Sequence, residues 1–277
     1  ELSAGRTTRL GGNIVADVKV DIWADFMTGR WVTPVKIFGG DLAFGATVPF
    51  GEPGVRAGLL LDGPIINRLL GRSLALSARD RDLNFGDPVM STALGWHAGN
   101  WHWKLGAAAS IPAGAYEPGE LSNVAFNRWI GDFTAGLTYL DPTLGIDLSA
   151  VGGFEVNGDN PDTDYRSGNA LHLDLSATKY LTKELSVGVI ASHYQQVTGD
   201  SGAGATLGPY KGRVTAVGGT LGYTFEVGKI RISTRLKVLR EVDVENRFEG
   251  TIGFLQVSFP LWVPPHAAPP QPVTAKF

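Results

Sequence analysis

The segment Lys229–Val238 reads Lys-Ile-Arg-Ile-Ser-Thr-Arg-Leu-Lys-Val, with polar and apolar side chains in unbroken alternation. Four of its five odd positions, Lys229, Arg231, Arg235 and Lys237, are cationic. Successive side chains of a strand point to opposite faces, so this strand is basic on one side and apolar on the other. A single such strand would suit a soluble sheet resting on a core. What constrains the fold is how often the pattern returns. Residues 13–26 set Asn13, Val15, Asp17, Lys19 and Asp21 against Ile14, Ala16, Val18, Val20 and Ile22. Residues 144–157 set Asp147, Ser149, Glu155 and Asn157 against Ile146, Leu148, Phe154 and Val156. Residues 169–180 set His172, Asp174, Ser176 and Thr178 against Leu171, Leu173, Leu175 and Ala177. The same reading holds at 101–107, with His102 and Lys104 opposite Trp101, Trp103 and Leu105, and at 251–262, with Gln256 and Ser258 opposite Leu255, Val257, Phe259 and Leu261. Alternating segments of about ten residues, parted by turn residues, are the signature of an outer-membrane barrel.

The connections alternate in length. Short ones are read at Pro49–Gly54, His97–Asn100, Asp141–Thr143, Thr182–Lys183 and Val227–Gly228. Long polar ones are read at Met27–Trp31, Asp62–Asp87, Pro112–Arg128, Gly158–Ser167, Gly199–Lys211 and Glu241–Glu249. Short periplasmic turns and long outer loops, with an even strand number, predict an all-β, antiparallel transmembrane β-barrel of about twelve strands with both termini periplasmic. The barrel is expected to be one domain over residues 1–262, followed by a Pro/Ala-rich tail at 263–277. Gly39-Gly40 reads as a bulge, because the apolar set changes parity there, from Val35 and Ile37 to Leu42, Phe44, Ala46 and Val48. The long stretch after Asp62 has room for a helical turn at Pro64–Leu70 or an extra strand at Ser73–Ala78.

Aromatic residues give a separate signal. Trp96, Trp101, Tyr139, Tyr180, Tyr223 and Trp262 fall beside short turns, and Trp23, Phe26, Trp31, Trp129 and Phe154 near long loops. Two aromatic bands at opposite strand ends match interfacial girdles. Charged residues make up 18% of the 277 residues, below the roughly 25% of soluble domains. A net charge of −3 gives no basic footprint for nucleic acid. The absence of Cys excludes disulfides and thiolate metal sites, and no cofactor is expected. No apolar run is long enough for a membrane helix. Glu1 opens the chain without the look of an export leader, as expected of a processed outer-membrane protein.

With apolar faces toward lipid, the lumen receives Asp17, Lys19, Asp21, Lys36, His102, Lys104, Asp132, Asp147, Glu155, His172, Asp174, Lys229, Arg231, Arg235 and Lys237. The basic strand would stand across the bore from the acidic ones, and opposed charges set ion preference. The expected partners are outer-membrane lipid, lipopolysaccharide and a small-molecule solute. Two rivals stand beside the channel: a lipase-like barrel enzyme and a plugged structural barrel. His172 shares a face with Asp174 and Ser176, and His193 follows Ser192, but no G-x-S-x-G or H-E-x-x-H motif is present. The oxygen-rich loop Asn157–Asp164 has the composition of a Ca²⁺ loop and also of an ordinary turn; it lacks the Gly and distal Glu of an EF-hand.

Several stretches carry a family resemblance. They are Leu-Gly-Trp-His-Ala-Gly-Asn-Trp-His (94–102), Ile-Pro-Ala-Gly-Ala-Tyr (111–116), Asn-Arg-Trp (127–129), Leu-Thr-Tyr-Leu-Asp-Pro (137–142), Asn-Pro-Asp-Thr-Asp-Tyr-Arg-Ser-Gly (160–168), Tyr-Gln-Gln-Val-Thr-Gly-Asp-Ser-Gly-Ala-Gly (194–204) and Glu-Asn-Arg (245–247). In this order they resemble the outer-membrane family labelled "MetA-pathway of phenol degradation", over roughly Pro34 to Leu261. The resemblance implies a monomeric channel of a Gram-negative outer membrane, linked to growth on aromatic or other hydrophobic compounds. It transfers no catalytic residue.

Overall fold

The computed structural model describes residues 2–7, 13–62, 74–81, 83–118, 123–206, 208–247 and 249–262; for 2–21 and 53–81 it describes the backbone only. The described residues form strands and no helix: β1 (Leu2–Thr7), β2 (Asn13–Ile37), β3 (Gly40–Asp62), β4 (Leu74–Arg81), β5 (Asn84–Phe85), β6 (Val89–Ala98), β7 (Trp101–Ser110), β8 (Ile130–Asp141), β9 (Ile146–Asn157), β10 (Asp159–Asn160), β11 (Tyr165–Arg166), β12 (Ala170–Tyr180), β13 (Leu185–Gln196), β14 (Arg213–Val227), β15 (Ile230–Glu245) and β16 (Thr251–Ser258). One curled sheet runs in the order β1-β2-β3-β6-β7-β8-β9-β12-β13-β14-β15-β16, twelve strands long, with β4 and β5 also on β3 and a small β10–β11 hairpin in a loop. Every pairing is antiparallel. Among the described residues, the path ends on β1 and β16, and beyond the short β1 the outer edge of β2 over 22–37 also has no strand partner.

The first hairpin differs from the expectation. Phe38 and Gly39 form a two-residue turn with φ of 49° and 78°, the twist that matches strand pairs. A two-residue turn pairs Ile37 with Gly40, so odd positions before it share a face with even positions after it. That is the parity change read as a bulge at Gly39-Gly40. The register irregularity lies instead between Val32 and Lys36, around Pro34. Met27–Trp31 and Pro49–Gly54 are likewise not connections: they lie within the two strands of one long hairpin, with Met27 opposite Val48, Trp31 opposite Phe44, Phe26 opposite Pro49 and the Thr28 and Thr47 hydroxyls 2.9 Å apart. Pairing across the hairpin overrides the local turn propensity of its Gly and Pro. The other short turns fall close to the expected places, at 99–100, 142–145, 181–184 and 228–229. In the stretch after Asp62, β4 covers most of the suggested extra strand, while Pro64–Leu70 lies outside the described residues, as does the 263–277 tail.

The two faces of the sheet have different geometry. A Cβ on Gly45, Gly106 or Gly222 would strike the Ser91, Thr134 or Ser186 hydroxyl, at 2.6, 2.7 and 2.5 Å. On the opposite face, Gly29 and Gly253 have nothing within 4 Å, and Gly152 only a carbonyl oxygen at 3.9 Å. Curling a sheet crowds the side chains on its inner face and spreads those on its outer face. The crowded face is therefore concave, and it carries the polar set. The convex face is apolar and uncovered: Leu137, Leu148, Leu171, Leu173, Leu175, Val189, Val217, Leu221, Leu236, Val238 and Leu255 are all exposed. Apart from Leu239, the buried side chains of the sheet are small or polar, such as Ala170, Thr178, Ser186, Gln196 and Asn157. A water-soluble monomer rarely exposes a contiguous apolar patch beyond a few hundred Å². This sheet has the inverted polarity of a wall between lipid and an aqueous bore.

Candidate functional site

The register collects the acidic residues on the concave face of three adjacent strands. Asp132 on β8 pairs with Glu155 on β9, Asp147 lies further along β9, and His172 and Asp174 follow on β12. The His172 ring lies across Gly153, whose missing side chain leaves the space, and its Nε2 reaches Asp132 Oδ1 at 3.0 Å. Its Nδ1 is 3.8 Å from Asp174 Oδ2. The Ser149 hydroxyl donates to Asp147 Oδ1 at 2.7 Å. The Lys104 stem on β7 lies over Gly136 in the same way. These two polar side chains thus lie along the wall, over glycines.

Arg231, Arg235 and Lys237 share the concave face of β15, opposite Glu226, Gly222 and Thr220. Between the acidic and basic strands stand β13 and β14. Their concave positions, from Ser186 to Gln196 and from Val214 to Thr224, carry no charge. Most of the acidic and basic positions are therefore held apart along the curl, while Glu226 faces Arg231, Glu241 lies on β15 itself and Lys104 stands next to the acidic strands. Lys36 instead pairs locally with Asp41 at 3.0 Å. Lys229 sits in the turn after Gly228, outside any strand. The side chains of Asp17, Lys19 and Asp21 lie outside the described residues.

Of the girdle candidates, Trp96, Trp101, Tyr139 and Tyr223 share the convex face near the short turns. Trp101 and Tyr139 pack with ring centroids 5.0 Å apart, and Trp96 Nε1 donates to the Phe38 carbonyl at 3.0 Å. That close approach needs Gly40, where a Cβ would meet the indole at 2.5 Å. Tyr180 shares the concave face of Thr178 and Ser186, and Trp262 lies exposed beyond β16. His193 turns to the convex face and bonds Thr215 Oγ1 at 2.9 Å, while Ser192 faces the bore, so the two do not meet. A trough of about 760 Å³ over Ala135 and Gly152, walled by Phe133, Phe154 and Leu171, also opens on the convex side and is no part of the bore.

The long-loop end holds a cluster that pattern reading of the strands missed. Asn157, fully buried at the end of β9, accepts from Arg128 Nε at 3.1 Å and donates to Glu155 Oε1 at 2.7 Å and to the Gly168 carbonyl at 3.1 Å. Arg166 Nε donates to the Asn157 carbonyl at 2.9 Å. The Tyr165 hydroxyl donates to Asp200 Oδ2 at 2.5 Å. Arg247 lies 4.3 Å over the Tyr194 ring and donates to its hydroxyl at 3.0 Å. Burial pushes the Tyr165 hydroxyl up to about 12, with the Asp200 bond next in weight. Burial lowers the Arg128 pKa, against the opposing pull of Glu155. Asp87 stitches the loops beneath, accepting from the backbone of Gly114, Phe126 and Asn127 at 2.8–3.0 Å.

Oxygens of the Asn157–Asp164 loop are engaged by the chain itself: Asn127 Nδ2 donates to Asp162 Oδ2 at 2.8 Å, and the Asp162 backbone donates to Asn160 Oδ1 at 3.0 Å. Among the described residues no group of three His, Asp or Glu is placed to hold a metal. Arg128, Tyr165, Tyr194 and Arg247 all belong to the segments that carried the family resemblance, which was the one sequence signal that singled them out.

No curated protein matches this chain. Among solved structures, the COG4313 outer membrane channel from Pseudomonas putida F1 shares the fold, with a TM-score of 0.54 at 14% identity over 94% of this chain and 98% of that one. The model of one protein family, described as "Putative MetA-pathway of phenol degradation", matches residues 4–256, nearly the whole of the concave wall and its loops, and the chain belongs to that family.

Proposed function

We propose that this protein is a channel of the Gram-negative outer membrane, passing small solutes passively along the charged concave wall. The observation that carries the proposal is the inverted sheet: an uncovered apolar convex face and a concave face bearing Lys104, Asp132, Asp147, Glu155, His172, Asp174, Arg231, Arg235 and Lys237. Placing Lys or Arg on the lipid side at mid-membrane would cost about 2–4 kcal/mol each, so membrane energetics orients the wall. The separated charges would hold a transverse field across a low-dielectric bore and set ion preference. Phenolic or other hydrophobic growth substrates are the solute class that the family description suggests. A sideways exit for them would lie where strands present free edges: pairing is continuous from β6 to β15, whereas among the described residues β1, β2, β4, β5 and β16 have edges without a partner.

The test is a planar-bilayer recording under a salt gradient, with liposome swelling as a second readout. Discrete conductance with a non-zero reversal potential supports the channel. No conductance and no swelling would favour the plugged structural barrel.

A further inference from the structure

Two guanidinium groups at the long-loop end lie close to aromatic rings, without a salt-bridged carboxylate among the described residues. Arg128 comes from the loop before β8 and uses its Nε on Asn157 Oδ1 at 3.1 Å. Its centre lies 5.0 Å over the Phe126 ring. Arg247 comes from the β15–β16 connection and lies on Tyr194. A Cβ on Gly212 would fall 2.5 Å from Arg247 Nε, so this glycine leaves the arginine its place. A chain of hydrogen bonds ties the two loops into one site: Arg128 holds Asn157, Asn157 donates to the Gly168 carbonyl, the Gly168 amide donates to Asp200, and Asp200 also takes the Tyr165 hydroxyl and the amide of Gln196, two residues after Tyr194.

The carboxylates nearby are engaged with neutral donors. Glu155 Oε1 takes the Asn157 amide at 2.7 Å, and Asp200 takes the Tyr165 hydroxyl, the Gly168 amide and Gln196 Nε2. Among the described residues neither Arg128 nor Arg247 forms a salt bridge, whereas Arg213 and Arg240 each do. Arg128 is largely desolvated, and a desolvated cation is stabilised by a bound anion. Asn157 fixes one edge of the Arg128 guanidinium, and among the described residues its two η nitrogens have no hydrogen-bond partner. The planar fork of an arginine matches a carboxylate. The Tyr194 hydroxyl accepts from Arg247 and keeps its own proton to donate. The surrounding surface is aromatic, from Phe126, Tyr165 and Tyr194.

From this we infer that the loop-end site binds a small aromatic carboxylate, with Arg128 and the Tyr194 hydroxyl on the carboxylate and the rings around its body. Position on the concave side makes it a site for a solute entering the bore. The inference rests on the channel reading for its meaning in transport, although binding itself can be measured without transport.

The experiment is equilibrium dialysis of the purified full-length protein in detergent at pH 7 with radiolabelled benzoate, with phenol and inorganic phosphate in separate arms. Benzoate should bind at least tenfold more tightly than phenol, which has the ring without the charge. Phosphate should compete poorly. Arg128→Gln and Arg247→Gln should each weaken benzoate at least tenfold, and Arg128→Lys should recover only part of the loss, since a point charge lacks the fork. Far-UV circular dichroism and heat-modifiable gel migration establish that each variant is folded. Equal binding of benzoate and phenol, phosphate binding as tight as benzoate, or no loss in a folded Arg128→Gln protein would each overturn the assignment. Bilayer conductance on the same preparations separates the two ideas. Conductance without benzoate binding refutes the site alone, and benzoate binding without conductance refutes the channel alone.

Discussion

Gly152 and Gly153 are neighbours on β9 and occupy opposite surroundings. Beside Gly152 the space is open on the convex face; over Gly153 lies the imidazole of His172, reaching for Asp132. The difference holds along the wall. Concave Gly45, Gly106, Gly136, Gly153 and Gly222 seat polar side chains, whereas convex Gly29, Gly152 and Gly253 leave room that lipid can fill. The wall is thus asymmetric in space as well as in polarity. On its inner surface the Lys104 stem and the His172 ring lie against Gly136 and Gly153.

The strongest way to break this comparison is to move a charge across the wall. Leu175→Arg, in the middle of the convex face of β12, should destabilise the protein by about 2–4 kcal/mol in lipid. Ser176→Arg, one residue away on the concave face, should cost less than about 1 kcal/mol. Equal losses in urea unfolding from vesicles would mean that the faces are assigned wrongly. Next in size is the glycine pair itself. Gly153→Val should cost about 1–3 kcal/mol by overpacking against His172, and Gly152→Ala less than about 0.5 kcal/mol; thermal unfolding of the two variants side by side decides it.

Smaller effects sharpen the comparison between the acidic and basic parts of the concave face. Arg235→Glu with Lys237→Glu should move the reversal potential toward cation preference, and Asp132→Asn with Glu155→Gln should move it toward anions. A reversal potential unmoved by either pair would take the wall charges out of the conduction path. The smallest effect is a titration outside the membrane. Tyr165 should ionise near pH 12, later than an ordinary tyrosine near 10. Its pKa is raised by folding, so the contribution of the Asp200 bond is complete below about pH 10 and is lost as the pH rises through the folded value. Tyr165→Phe should remove that late step from the ultraviolet titration, and an unchanged profile would reassign it.

Alternation alone identified the acidic strands β9 and β12, the basic strand β15 and the polarity of their faces. A period of two survives any choice of partner strand. The first hairpin was less legible, because a two-residue turn at Phe38-Gly39 and a bulge at Gly39-Gly40 change parity alike. Only pairing across the hairpin distinguishes them. Local glycine and proline likewise suggested breaks at Met27–Trp31 and Pro49–Gly54, where the facing strand supplies continuity.

The sequence by itself determined that the chain makes strands with one charged and one apolar face, because side-chain direction is a property of each strand. Which face curls inward, which polar groups lie over glycines, and which loop residues meet were decided by the tertiary structure. Those outcomes depend on register between strands and on contacts over long sequence separations. Arg128 and Asn157 are 29 residues apart, and Tyr194 and Arg247 are 53 apart; no periodicity within a segment can bring them together.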